Sequence, residues 1–205
     1  MDDFELKLPN DVEKCMSKGI IKDFYKRRYI ILTDGIEDNV IPTVMLYILK
    51  WNTEDVTIPI AERTPITIIL NSYGGDKTLG MGLLDTIRYS ETPVRCLIVS
   101  MAASMASYIP MVCSETYAYP NAVVCLHDGY TGIMQTTRKA DDTFKFFQAC
   151  DERLDEIILN YTNIDEMLLE EIADREYYMF ADQAQELGIV DKIIGVDCML
   201  EEVLL

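Results

Sequence analysis

The sequence predicts an α/β fold built on parallel strands, and three observations carry that expectation. Tyr29-Ile30-Ile31-Leu32, Ile66-Thr67-Ile68-Ile69-Leu70 and Val94 to Val99 are short runs of largely branched apolar residues that read as buried strands. Between them lie segments whose apolar residues recur at helical spacing, so strand and helix alternate through the middle of the chain. The 205 residues are 49% apolar and 26% charged, enough to close one core and far from the composition of disordered chains.

Residues 1–27 form a mixed, charged leader before the first strand, and Asp34-Gly35 closes that strand with a turn. A helix follows, with Asp38 as its cap, Pro42 in its first turn, and Val44, Tyr47, Ile48 and Trp51 along one stripe. Residues 52–65 hold two prolines and read as a loop into the second strand. Asn71-Ser72-Tyr73-Gly74-Gly75 breaks that strand, a helix runs from near Thr78 to Tyr89, and Pro93 hands over to the third strand. The nineteen residues from Cys96 to Ser114 carry no charge, which approaches the length of a bilayer span of about 20. Their serines, alanines and Pro110 instead suit a buried strand running into a buried helix.

Ala122 to Leu126 is the next apolar strand, with Gly129 and Gly132 marking an irregular segment after it. From 138 to 161 the chain is charged and helical, with Phe144, Phe147, Leu154, Ile158 and Tyr161 at three- and four-residue steps, and this helix is expected to project. Short helices around Asp165 to Ile172 and Ala181 to Leu187, the second stopped by Gly188, lead to a last strand, Ile189 to Ile194. Residues 28–195 make one domain, and 196–205 are its tail.

Composition then excludes whole classes of function. Lys and Arg number 18 against 35 Asp and Glu, a net charge of −17 whose field repels phosphate backbones and anionic lipid, so neither nucleic acid nor membrane is an expected partner. The six cysteines include no C-x-x-C pair and mostly sit among apolar neighbours, as in a reduced cytoplasmic interior. Met1-Asp2-Asp3-Phe4 has neither the basic nor the apolar stretch of a signal peptide.

Chemistry has few carriers. The single histidine, His127, stands where an apolar strand ends, the place α/β proteins put their sites, although a lone histidine is also often inert. Ser104 lies in Ser100-Met101-Ala102-Ala103-Ser104-Met105-Ala106-Ser107, where a strand-like run changes to a helix-compatible one. Spacing alone leaves open whether it is an exposed hydroxyl beside a helix start or one more small residue packed on a sheet. Gly74 and Gly75 follow a strand and let backbone N–H groups approach a substrate closely. The run Gly75-Asp76-Lys77-Thr78 fails as a phosphate loop because Asp76 replaces the glycine required before the lysine. One histidine and no ligand cluster give no metal site, and no cofactor is implied; metal-free covalent catalysis remains.

The ordered set of Leu70-Asn71-Ser72-Tyr73-Gly74-Gly75, Ala102-Ala103-Ser104-Met105, Leu126-His127, Tyr178-Met179 and Glu186-Leu187-Gly188-Ile189-Val190-Asp191 resembles the ClpP-type serine peptidases, the proteolytic subunits of the Clp protease. Gly80-Met81 and Asp85-Thr86 fit the same pattern, and the likeness covers about residues 28 to 195. It implies the ClpP/crotonase fold, a head of stacked β-β-α units with a projecting handle helix, here at 138–161, through which two rings of seven pair face to face. It implies Ser104 as nucleophile, His127 as general base, and the N–H groups of Gly75 and Met105 as oxyanion hole, with Tyr73 and Gly74 lining the substrate. Glu176 stands where the family has Asp, with Asp174 two residues earlier as a substitute; the extra methylene of Glu demands a different backbone distance.

Other departures are Tyr73 for the proline before the glycines, Ala106 for the glycine after the nucleophile, and Asp128-Gly129 for the Gln-Pro that usually follows the histidine. The family docks loops of a hexameric AAA+ unfoldase into apolar pockets on the ring; Tyr89 and Ile194 fit that role, whereas Thr67 and Ile69 replace common aromatics. Residues 1–27 match its axial gating segment loosely. The expected function is therefore an endopeptidase acting on peptides and unfolded chains. A catalytically silent structural subunit of a mixed ring is the alternative. A crotonase-like acyl-CoA enzyme would have no need of the Ser104/His127 pair.

Overall fold

In the computed structural model residues 18–127, 129, 136–172 and 175–204 are described, so the expectations resting on residues 1–17, Asp128, Gly132 and Asp174 lie outside the described residues. Five parallel strands form the sheet in the order β1, β2, β3, β4, β7: Tyr29–Leu32, Ile66–Ser72, Val94–Ala103, Glu115–Ala118 and Lys192–Ile193. Strand β5 (Val123–His127) pairs in parallel with β3, and β6 (Glu176–Phe180) pairs antiparallel with β5. The arrangement is α/β, as expected from the alternation of strand and helix. Strands β4 and β6 were not anticipated.

Strand β3 is the axis of the design. Its first half, Arg95 to Ile98, pairs with β4, and its second half, Met101 to Ala103, pairs with β5. One strand thus serves two neighbours in succession, and β5 is displaced toward the carboxyl end of β3. Strand β2 follows through an irregularity between Leu70 and Ser72, which brings Ser72 opposite Ala102. Both β2 and β3 therefore run beyond the apolar stretches that announced them.

Helices cover one face. The first, α1 (Lys18–Lys26), belongs to the expected leader, yet Ile21 and Tyr25 are buried in the core, so the packed body begins before residue 28. After a π-helical turn at Ile41–Met45, which buries Val44, comes α2 (Leu46–Glu54), which buries Ile48 and Trp51 of the expected stripe and half-buries Tyr47. The helix start at Val40 has no side-chain cap bond, so Asp38 is not its cap. Helix α3 (Lys77–Arg88) is capped by Asp76, whose Oδ1 accepts from the Leu79 N–H at 2.8 Å; this is the local use of the aspartate that spoils the phosphate loop. The uncharged run from Cys96 to Ser114 is β3, a 3₁₀ turn at Ser104–Ser107 and the short α4 (Tyr108–Val112). Among the described residues no helix is long and apolar enough to cross a membrane.

Helix α5 (Thr137–Tyr161) buries Cys150, Leu154, Ile157 and Ile158 in its second half only; Phe144 and Phe146, in the first half, are exposed. Helix α6 (Glu166–Ile172) and α7 (Ala181–Glu186) flank β6, and α8 (Leu200–Leu204) ends the described chain. The segment leading into α8 covers the opposite sheet face, where Leu97, Tyr117, Ile194, Cys198 and Val203 form a second apolar cluster. The Tyr29 hydroxyl donates to the Leu204 carbonyl at 2.5 Å and so ties this segment to β1.

One buried ion pair fixes how α2 meets β1. Arg28, in a left-handed conformation at φ 63°, donates to both oxygens of Asp55 at 2.5 and 2.7 Å, and the Thr92 hydroxyl adds a third bond at 2.9 Å. The Asp55 side chain is 1% exposed. The Arg28 guanidinium, with Thr92 in support, holds its carboxyl below the usual Asp value. A depressed folded value means that this stabilisation is complete above the unfolded Asp pKa of about 3.9 and is lost as pH falls through the folded value. Asp55→Asn is expected to cost about 3 kcal/mol in urea unfolding at neutral pH, because it leaves the half-buried Arg28 guanidinium without its charge partner. The gap to wild type should narrow only below about pH 4, where the wild-type carboxyl itself protonates.

Candidate active site

Three chain segments leave the sheet at the same edge. Ala103 is opposite Cys125 in the β3–β5 register, so Ser104 and His127 follow one and two residues later at the carboxyl ends of adjacent parallel strands. Ser72 is opposite Ala102, which carries Tyr73, Gly74 and Gly75 to that edge from the other side. Across the β5–β6 pairing, His127 stands directly opposite Glu176. Residues opposite one another in an antiparallel pair have Cβ atoms about 4.5–5.5 Å apart, within reach of an imidazole and a carboxylate.

Ser104 has φ 53°, a left-handed conformation for a non-glycine residue, at the point where β3 becomes the 3₁₀ turn. That turn is held closely. The Ser107 hydroxyl donates to the Ser104 carbonyl at 2.7 Å, and the Met105 side chain is buried against α3. A Cβ on Gly80 would lie 2.1 Å from Met105 Cγ, so the helix can pass this close only with glycine there. Backbone strain of this kind costs about 1–3 kcal/mol and persists where the surroundings over-determine it.

The glycine pair abuts the serine. A Cβ on Gly74 would come within 2.7 Å of Ser104 Cβ and 2.9 Å of the Met105 nitrogen, and Gly74 itself has φ 95°. Its backbone is fixed by the Ile36 N–H donating to the Gly74 carbonyl at 2.9 Å and by the Gly74 N–H donating to Ser72 Oγ at 3.2 Å. Ser72 Oγ in turn donates to the Asp34 carbonyl at 2.7 Å. The Asp76 N–H donates to the Ile36 carbonyl at 2.7 Å, so the bridge between Ile36 and this loop makes no use of the Gly75 N–H. Gly75 could bear no side chain, since its Cβ would meet the Ile36 carbonyl oxygen at 2.3 Å.

On the face of β5 and β6 that carries His127 and Glu176, the next pair is Cys125 and Tyr178. The Tyr178 hydroxyl donates to Glu176 Oε2 at 2.9 Å, and this bond pushes the phenol up to about 12. Burial raises the Cys125 thiol above its ordinary value. Such a constellation, a hydroxyl on a strained turn, an imidazole on the neighbouring strand, a glutamate in register with it and backbone amides beside the hydroxyl, has the parts of an acyl-transfer site.

The remaining expected residues fall elsewhere. Tyr73 is exposed beside the glycines. Tyr89, at the end of α3, is 77% exposed. Ile194 is only 8% exposed and packs in the cluster with Cys198 and Val203. Sequence reading missed Tyr178 because β6 was not anticipated, although Glu-Tyr-Tyr-Met-Phe is rich in strand formers. Compared with models of known protein families, residues 12–197 match the one described as Clp protease.

Proposed function

The chain belongs to the Clp protease family, a family of peptidases, and on that premise we propose that it is a serine endopeptidase subunit of a self-compartmentalised, ATP-dependent protease of the cytoplasm. Ser104 Oγ attacks the scissile carbonyl while His127 takes its proton, then returns it to the leaving amine; water reverses the sequence to release the acyl group. Glu176 orients the imidazole and stabilises its charged form. The N–H groups of Gly75 and Met105 receive the developing oxyanion, at about 3 kcal/mol per donor in other hydrolases. Tyr73 and Gly74 border the extended substrate.

The observation that carries this reading is the meeting of the left-handed Ser104, the Gly74–Gly75 loop and the His127–Glu176 register pair at one sheet edge. The proposed assembly is two stacked heptamers joined through the exposed half of α5, served by a hexameric AAA+ unfoldase of the Clp type. Docking through Tyr89 is compatible with its exposure, whereas Ile194 becomes available only if the segment 198–204 moves away. In this reading the axial gate lies before α1, whose Ile21 and Tyr25 pack into the core of the peptidase domain that continues to residue 195.

The test is reaction of the assembled protein with a fluorophosphonate, followed by mass spectrometry of the adduct. A single adduct on Ser104 is the expected result, because labelling needs an activated hydroxyl and a formed site. No adduct on assembled rings would support the alternative, a catalytically silent structural subunit, for which the exchange of Asp for Glu176 is the motive.

A further inference from the structure

Glutamate in place of aspartate poses a positional problem that the neighbouring side chains bear upon. Glu176 has one more methylene and one more rotatable bond than Asp, so its carboxylate has more places to be and loses more entropy when fixed. It is exposed, at the first position of β6, where little packing restrains it. Two residues along, strand alternation returns Tyr178 to the same face, and its hydroxyl donates to Oε2 of Glu176 at 2.9 Å. Tyrosine has only two side-chain torsions and stands on a paired strand opposite Cys125, so it is a stiff donor.

We propose that Tyr178 is a positioning residue for the reaction: by holding Oε2 of Glu176 it leaves the other carboxylate oxygen for His127 Nδ1, and so adapts a longer acid to a site built for a shorter one. The proposal rests on Glu176 being the acid of the triad. An ordinary phenol, with a pKa of about 10, already keeps its proton and so donates throughout the neutral range. Tyr178 is 57% exposed, so burial does not demand a partner for its hydroxyl.

The experiment compares wild type, Tyr178→Phe, Glu176→Gln and the double variant, all as assembled full chains. Two readouts are taken: kcat and KM on a fluorogenic peptide, and the tautomer balance of the imidazole from ¹⁵N signals of histidine-labelled protein. The chain has a single histidine, so the signals belong to His127. Tyr178→Phe is expected to lower kcat about five- to tenfold, the size of one hydrogen bond, with KM within about twofold. It should also shift the imidazole signals, and in the Glu176→Gln background, where no carboxylate is left to position, both changes should be smaller. Wild-type kcat and imidazole signals in Tyr178→Phe, with Glu176→Gln severe, would overturn the positioning role alone, as would an equal loss in both backgrounds. Glu176→Gln silent in both readouts would overturn the triad assignment and this role with it.

Discussion

Ser104→Ala is expected to lower kcat for a fluorogenic peptide by about 10⁶, the loss seen when a triad nucleophile is removed, while the protein folds and assembles as before. The chemical argument is that, among the described residues at this sheet edge, the Ser72 and Ser107 hydroxyls are engaged with the Asp34 and Ser104 carbonyls, which leaves Ser104 to form the acyl intermediate. Cys125 is buried, its thiol is held above its ordinary value, and it lies on the strand opposite Ala103, not beyond it. The structural argument is that alanine keeps the Cβ packed against Gly74, removes one oxygen and leaves the Ser104 carbonyl accepting from Ser107. The left-handed φ of 53° is as costly for alanine as for serine, so stability should change by no more than about 0.5 kcal/mol. The check is peptide turnover on rings verified by sedimentation, together with loss of the fluorophosphonate adduct. Undiminished turnover in a clean Ser104→Ala preparation would remove the serine mechanism.

Much of the fold could be read from short apolar runs, because Tyr29–Leu32 and Ile66–Leu70 are buried on both faces and need no alternation to announce them. Helix α5 declared itself by its length and stripe. The failures have physical causes. Strand β4, Glu-Thr-Tyr-Ala, is short and exists because a neighbour's edge pairs with it, and β6, Glu-Tyr-Tyr-Met-Phe, has strand-forming residues but begins with a carboxylate and lacks an apolar alternation to announce it. The site shared this limit. Ser104, His127 and the two glycines were singled out from their own surroundings, but their meeting depends on β3 serving β4 and then β5, a matter of register. The resemblance, not spacing, supplied Glu176, and the pairing of β5 with β6 is what sets it opposite His127. Likewise Ile194 ends an apolar run, yet its cover comes from residues that follow it by four and nine positions, Cys198 and Val203, and no local pattern marks that return.

The second large effect concerns the acid, where Glu176→Gln is expected to lower kcat by about 10⁴ with assembly intact, the precedent for neutralising the orienting carboxylate of a triad. Glutamine preserves length and volume and can still accept from Tyr178, so a steep loss would reflect the missing charge more than a repacked strand. Without that charge the imidazolium formed during attack lacks its counter-ion, and an amide can face the ring with a donor as readily as with an acceptor, so the required tautomer is no longer enforced. Asp174→Asn is expected to lose less than about tenfold, because the carboxylate paired in register with His127 is that of Glu176. Measuring both variants on the same peptide, with ring content verified, ranks them directly. A severe Asp174→Asn beside a mild Glu176→Gln would transfer the role to Asp174. Two mild effects would mean that serine and histidine act as a dyad, since the nucleophile and base would then be working without an acid behind them.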